Sequence, residues 1–153
     1  NSYKDLFKQT ELNKAELRFG NQTYWHRLVL RNVRQHPREL AVLFDNPMLD
    51  FISVYKNKDG KIESIVELGD KASNLSLELK ALPSISLELA QGETVEYLIS
   101  TKTVGPPVLS IAIFNLKDYK NYRNAIYLIW GAFIGIVLLM AIFYLSHRLH
   151  IFA

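Results

Sequence analysis

The alternation of hydrophobic and polar residues changes rhythm once along this chain. From about residue 23 to residue 115, short β-branched and aromatic runs alternate in character residue by residue; from Ala125 to Leu145 an apolar run proceeds without a single charge. The first rhythm puts successive side chains on opposite faces and predicts strands. They fall at Thr23 to Arg31, Leu40 to Asp45, Asp50 to Tyr55, Lys61 to Leu68, Leu75 to Leu79, Ile85 to Leu89, Thr94 to Thr101 and Val108 to Asn115. Turn-forming residues separate them at Gly20-Asn21, His36-Pro37, Asn46-Pro47, Lys58-Asp59-Gly60, Gly69-Asp70, Leu82-Pro83, Gln91-Gly92 and Gly105-Pro106-Pro107. Strands at that spacing point to an antiparallel sandwich or jelly roll. The first ~20 residues carry Leu6, Phe7, Leu12, Leu17 and Phe19 and are read as a strand or irregular segment on the sandwich edge.

The second rhythm predicts one membrane helix. At about 1.5 Å per residue the apolar run makes a helix of roughly 31 Å, close to the ~30 Å hydrocarbon thickness of a bilayer. Tyr122, Tyr127, Trp130 and Tyr144 lie toward its ends, and Arg123, His147, Arg148 and His150 flank it. The organisation expected is a sandwich over 1–116, a junction over 117–123, a membrane helix over 124–146 and the start of a following loop over 147–153. Gly131 and Gly135 give the helix a small-residue face on which another helix can pack, from the same protein or from a second copy in a homodimer. A chain that opens on Asn1 suggests a processed or trimmed N-terminus. One that stops at Ala153 suggests a tail-anchored protein or a piece of a longer one.

Composition narrows this picture only slightly. About 116 residues suffice to bury a core without disulfides, and the chain has no cysteine and a net charge of +3. The chain contains no nucleophile-base constellation, glycine-rich phosphate loop or metal-ligand spacing. No enzyme, cofactor, metal or nucleic-acid partner is therefore expected.

Binding is a different matter, because Arg18 to Arg38 holds five arginines and two histidines with no acid. Alternation puts Trp25, Arg27, Val29 and Arg31 on one face of their strand and Tyr24, His26, Leu28 and Leu30 on the other. Three readings stand. Arg27 and Arg31 beside the Trp25 indole would grip an anionic or sugar ligand, so that Arg27→Ala abolishes binding of an anion. Alternatively Trp25 belongs to the core, where Trp25→Ala unfolds the domain, and the arginines pair with acids on neighbouring strands. In the third, Asn32 to Arg38 meets anionic lipid headgroups. Tyr55, Tyr97 and Asp50 are further candidates for a concave binding face, against the alternative that these aromatics are cross-strand packing pairs.

Several motifs, in order, resemble one family. They are Gly20, Tyr24-Trp25-His26-Arg27, Leu30-Arg31-Asn32, Leu49 to Tyr55, Asp59-Gly60, Leu68-Gly69-Asp70 and Glu96 to Ser100. This series resembles the second type of periplasmic sensor domain that opens the bacterial seven-transmembrane receptors with diverse intracellular signalling modules. Trp130-Gly131-Ala132-Phe133-Ile134-Gly135 and the run to Met140 look like the first membrane helix of those receptors, although Phe143-Tyr144 stands where the family commonly has Tyr-Asn.

The resemblance implies a jelly-roll sandwich similar to carbohydrate-binding modules, lying in the periplasm at the bacterial inner membrane. It would receive a small-molecule or carbohydrate ligand and relay binding to a histidine kinase, diguanylate cyclase or similar output beyond this chain. Charge points the other way. Lys117, Lys120 and Arg123 precede the helix and Arg148 follows it, a count that by itself would put the sandwich in the cytoplasm. Two other functions fit the residues. One is a single-pass anchored carbohydrate-binding module, which further hydrophobic spans downstream would exclude. The other is a protein-interaction subunit of a membrane assembly, marked by a large exposed apolar patch and no pocket.

Overall fold

A computed structural model of the chain describes residues 14–16, 20, 22–58, 60–73, 81–104 and 108–151. The strands are β1 (Lys14–Glu16), β2 (Thr23–Arg31), β3 (Arg38–Phe44), β4 (Phe51–Lys58), β5 (Lys61–Leu68), β6 (Ser84–Leu89), β7 (Thr94–Lys102) and β8 (Val108–Asn115), followed by helix α1 (Leu116–Ile151). Three predicted strands have the observed bounds and four lie within a few residues of them. The strand predicted at Leu75 to Leu79 falls outside the described residues.

The strands form two antiparallel four-stranded sheets, ordered β1-β8-β3-β6 and β2-β7-β4-β5. Each element of the core comes from the alternation that predicted it. Val42 and Phe44 of β3, Ile85, Leu87 and Leu89 of β6 and Leu109 of β8 face Ile52 and Val54 of β4, Leu68 of β5 and Val95, Tyr97 and Ile99 of β7, all buried in one cluster. Burying such side chains removes apolar surface from water, worth about 25 cal/mol per Å². The central strand β7 is buried almost throughout, whereas edge strand β2 alternates between exposed and half-buried positions from end to end.

Two polar residues tie the connections down. Asn32, buried just past β2, donates from its amide to the carbonyls of His36 (2.9 Å), Ala90 (3.0 Å) and Leu89 (3.2 Å) and accepts from the Arg34 N–H (3.0 Å). Buried carbonyls need such partners, and this one side chain serves the β2–β3 and β6–β7 connections together. Asp50 accepts from the Val104 N–H (3.0 Å) and pairs with Lys71 (3.1 Å). The Val104 N–H above all, with Lys71, holds its carboxyl below the usual carboxylate range. At Gly69 the backbone turns at φ +117°, and the following Asp70 and Lys71 N–H groups bond the Leu49 and Asp50 carbonyls (2.9 and 3.1 Å).

Lys117–Ala153 form a second unit, considered by itself. The apolar run expected at 124–146 is helical, and the helix continues past it on both sides. Residues 117–123, expected as a junction, are its first turns, and residues 147–151, expected as loop, extend its end. Asp118 in the first turn suits the positive end of the helix dipole. The helix is long and apolar enough to cross a membrane, and its large side chains from Leu128 to Leu145 are exposed. A Cβ added at Gly131 or Gly135 would meet nothing, so the face they share is open.

Candidate ligand-binding face

The outward face of the β2-β7-β4-β5 sheet collects the side chains with chemistry. Register decides which ones. Trp25 lies opposite Ser100, Arg27 opposite Leu98 and Val29 opposite Glu96 across the β2–β7 pairing; Ser53, Tyr55 and Asn57 lie opposite Ser100, Leu98 and Glu96 across β4–β7. Directly paired residues share a face. Leu98 and Ser100 are buried although they point outward, because side chains from the flanking strands rise on either side of them. The face is a trough with β7 as its floor.

At mid-trough the Trp25 and Tyr55 rings sit 5.7 Å apart, tilted by 34°. Trp25 remains 51% exposed, so the reading that put it in the core is corrected: an edge strand has no neighbour to cover its outward positions. Toward one end, Arg27 Nε donates to Glu96 Oε1, and Asn57 Nδ2 donates to Glu96 Oε2 (2.6 Å). Glu96 thereby links β2, β7 and β4. The guanidinium expected to grip an anion already faces a carboxylate, so Arg27 is better suited to fixing the trough wall than to capturing a charged ligand alone.

The remaining sequence candidates separate. Tyr97 points to the opposite face, 2% exposed within the core, and burial pushes its phenol pKa up. Arg31 stands exposed at the end of β2 opposite Thr94, six pairs along from Trp25 and Ser100. Asp50 spends its carboxylate on Val104 and Lys71 and does not line the trough. Sequence reasoning missed the other end of the face. There Thr23, Phe51, Ser53, Glu67, Ser100 and Lys102 line an open cleft of about 290 Å³. The signal lay in strand parity: once β7 is the floor, Ser100 and Lys102 must share a side with Thr23, Phe51 and Ser53.

Beneath the trough, on the inner side of β2, His26 is half-buried with Nε2 3.1 Å from the Thr101 hydroxyl. Burial lowers its pKa from 6.5 to about 4. The unfolded chain then binds a proton that the folded chain refuses between those two values, so stability falls as pH drops from about 6.5 toward 4 and levels off below. The loss reaches at most roughly 3 kcal/mol. Unfolding midpoints of wild type and His26→Gln, measured across that interval, should converge toward low pH as the wild type loses this contribution; a constant gap between them would show that His26 is not the group involved.

Among the described residues no group of three or more His, Cys, Asp or Glu side chains could hold a metal. A family model described as 7TMR-DISM extracellular 2 matches residues 1–115. No curated protein matches the chain.

Proposed function

The chain belongs to the 7TMR-DISM extracellular 2 family, and from that footing we propose that it is the ligand-receiving, periplasmic input of a bacterial inner-membrane receptor. A domain of an extracellular sensor family followed by a helix able to cross a membrane is the arrangement of a membrane receptor's sensing part. The strand orders β1-β8-β3-β6 and β2-β7-β4-β5 support reading the sandwich as a jelly roll, an architecture found in lectins and related binding domains. The ligand is a small polar molecule, sugars included, received in the trough of the second sheet.

The observation that carries this reading is the exposed Trp25–Tyr55 pair standing over a buried strand floor. A large ring left half in water on a sheet face loses hydrophobic stabilisation that a ligand restores by stacking on it. β8 ends at Asn115 and α1 begins at Leu116, so a ligand-dependent change in the strand has a direct covalent path into the helix. The open Gly131/Gly135 face seats a neighbouring helix of the same receptor. A coupling of about 1–3 kcal/mol between ligand and helix arrangement is enough to switch an output.

Trp25 itself reports on this proposal. With Trp130 replaced by Phe, the chain in nanodiscs has one indole, and sugars, sugar acids, amino acids and nucleotides are titrated while its emission is followed. A saturable change with one class, lost in Tyr55→Ala, is expected. A compound that saturably raises the melting temperature yet leaves Trp25 emission unchanged would move the site off this face.

A further inference from the structure

The cleft beside the aromatic pair has a charge arrangement that sugars do not require. Lys102 and Glu67 both line it, one on the floor strand β7 and the other on edge strand β5, and they make no ion pair with each other. β4 lies between them and contributes Phe51 and Ser53, with Phe51 opposite Lys102 and Ser53 opposite Glu67. A cation and a carboxylate are therefore held one strand apart, with Phe51 and the hydroxyls of Thr23, Ser53 and Ser100 around them.

The Asp50 carboxylate does not neutralise the Lys102 ammonium by pairing with it, since it is taken up by the Lys71 ammonium and the Val104 N–H. One end of the cleft therefore presents an ammonium, whereas the β5 side presents Glu67. The cleft lies beside the Trp25–Tyr55 pair, because Ser100 is the cross-strand partner of Trp25 and Tyr55 follows Ser53 by two residues on the same face. Its volume lies near the lower end of the ~300–1,000 Å³ typical of small-ligand sites.

We propose that this cleft binds a free α-amino acid, with its carboxylate at Lys102, its ammonium at Glu67 and its side chain directed over Phe51 toward Trp25 and Tyr55. The hydroxyls of Thr23, Ser53 and Ser100 complete the hydrogen bonding of the two charged groups. A zwitterion satisfies both charges of the site at once, which a neutral sugar does not, and a simple anion leaves Glu67 opposed. The proposal rests on the reading of this face as the ligand site and narrows its ligand class. An apolar or aromatic side chain suits the wall.

The test uses the whole chain in nanodiscs with Trp130→Phe, titrated with L-phenylalanine, L-leucine, N-acetyl-L-phenylalanine, L-phenylalaninamide and glucose by calorimetry and by Trp25 emission. L-Phenylalanine or L-leucine should bind, and blocking either charged group should weaken binding at least about tenfold, the scale of one charge-assisted hydrogen bond. Lys102→Met should abolish the preference for the free acid over the amide, and Glu67→Gln the preference for the free amine over the acetylated form. Glu67 is exposed and Lys102 is half-buried at the end of β7, so both variants should stay folded and melt within a few degrees of wild type. Glucose binding that perturbs Trp25, with no amino acid bound, would overturn the zwitterion and leave the face standing. Amino-acid binding that leaves Trp25 emission unchanged and is indifferent to Lys102 and Glu67 would overturn the face as well.

Discussion

Tyr97→Ala should destabilise the sandwich by about 3–5 kcal/mol, whereas Trp25→Ala, the larger truncation, should cost only about 1 kcal/mol. Tyr97 is among the largest fully buried side chains and lies on the central strand of its sheet, so its removal opens a cavity that strands β2 and β4 on either side cannot close. Trp25 is half exposed, with the Tyr55 ring beside it. Against the ~5–15 kcal/mol stability of a typical domain, the first change removes a large share and the second a small one. Thermal melts followed through the β-sheet circular dichroism band check the order. A reversal would mean that the indole is packed and that the outward face is closed to ligands.

Gly69→Ala is the second large effect. A Cβ there would lie 2.5 Å from the Asp50 carbonyl oxygen and 2.8 Å from that of Leu49, and both contacts are backbone. Neither can rotate away, and φ +117° is itself costly for any residue with a Cβ. The turn must open, loosening the Asp70 and Lys71 hydrogen bonds and the Asp50 carboxylate that holds Val104. A loss of about 3 kcal/mol, or roughly 10 °C in melting temperature, is expected. A melt within a degree or two of wild type would contradict the close approach.

These two positions show what was legible in the sequence. Strand parity was: Thr23 to Arg31 alternates as read, and the split between Trp25, Arg27 and Arg31 on one side and His26 on the other is the split observed. Which side faces the core was not, because β2 is an edge strand whose outward residues can be aromatic without being covered, and strand order is a long-range property. The same limit put Tyr97 among the ligand candidates. A tyrosine on a central strand and one on the outward face look alike until the register of β7 against β2 and β4 is known.

The motif residues behind the family resemblance divide in an instructive way. Asn32, Gly69 and Asp50 hold connections: one clasps three carbonyls, one allows two backbone segments to touch, and one anchors Val104. Trp25 and Tyr55, from the same motifs, instead form the exposed ring pair. The cleft residues Phe51, Ser53, Glu67, Ser100 and Lys102 are separated by up to about fifty positions in the chain and come together only through pairing across β4, β5 and β7. No local spacing announces them. The apolar helix was the most legible element, since its signal is a local run that needs no partner to be recognised.

Sidedness tests the account most directly, because the charges around the helix and the family point opposite ways. The chain has no cysteine, so a single Lys58→Cys on the exposed β4–β5 hairpin gives a thiol without background. In cells with a permeabilised outer membrane and an intact inner one, a membrane-impermeant maleimide should label that thiol fully. Labelling that appears only after the inner membrane is broken would put the sandwich in the cytoplasm and contradict the role of periplasmic receiver proposed for it.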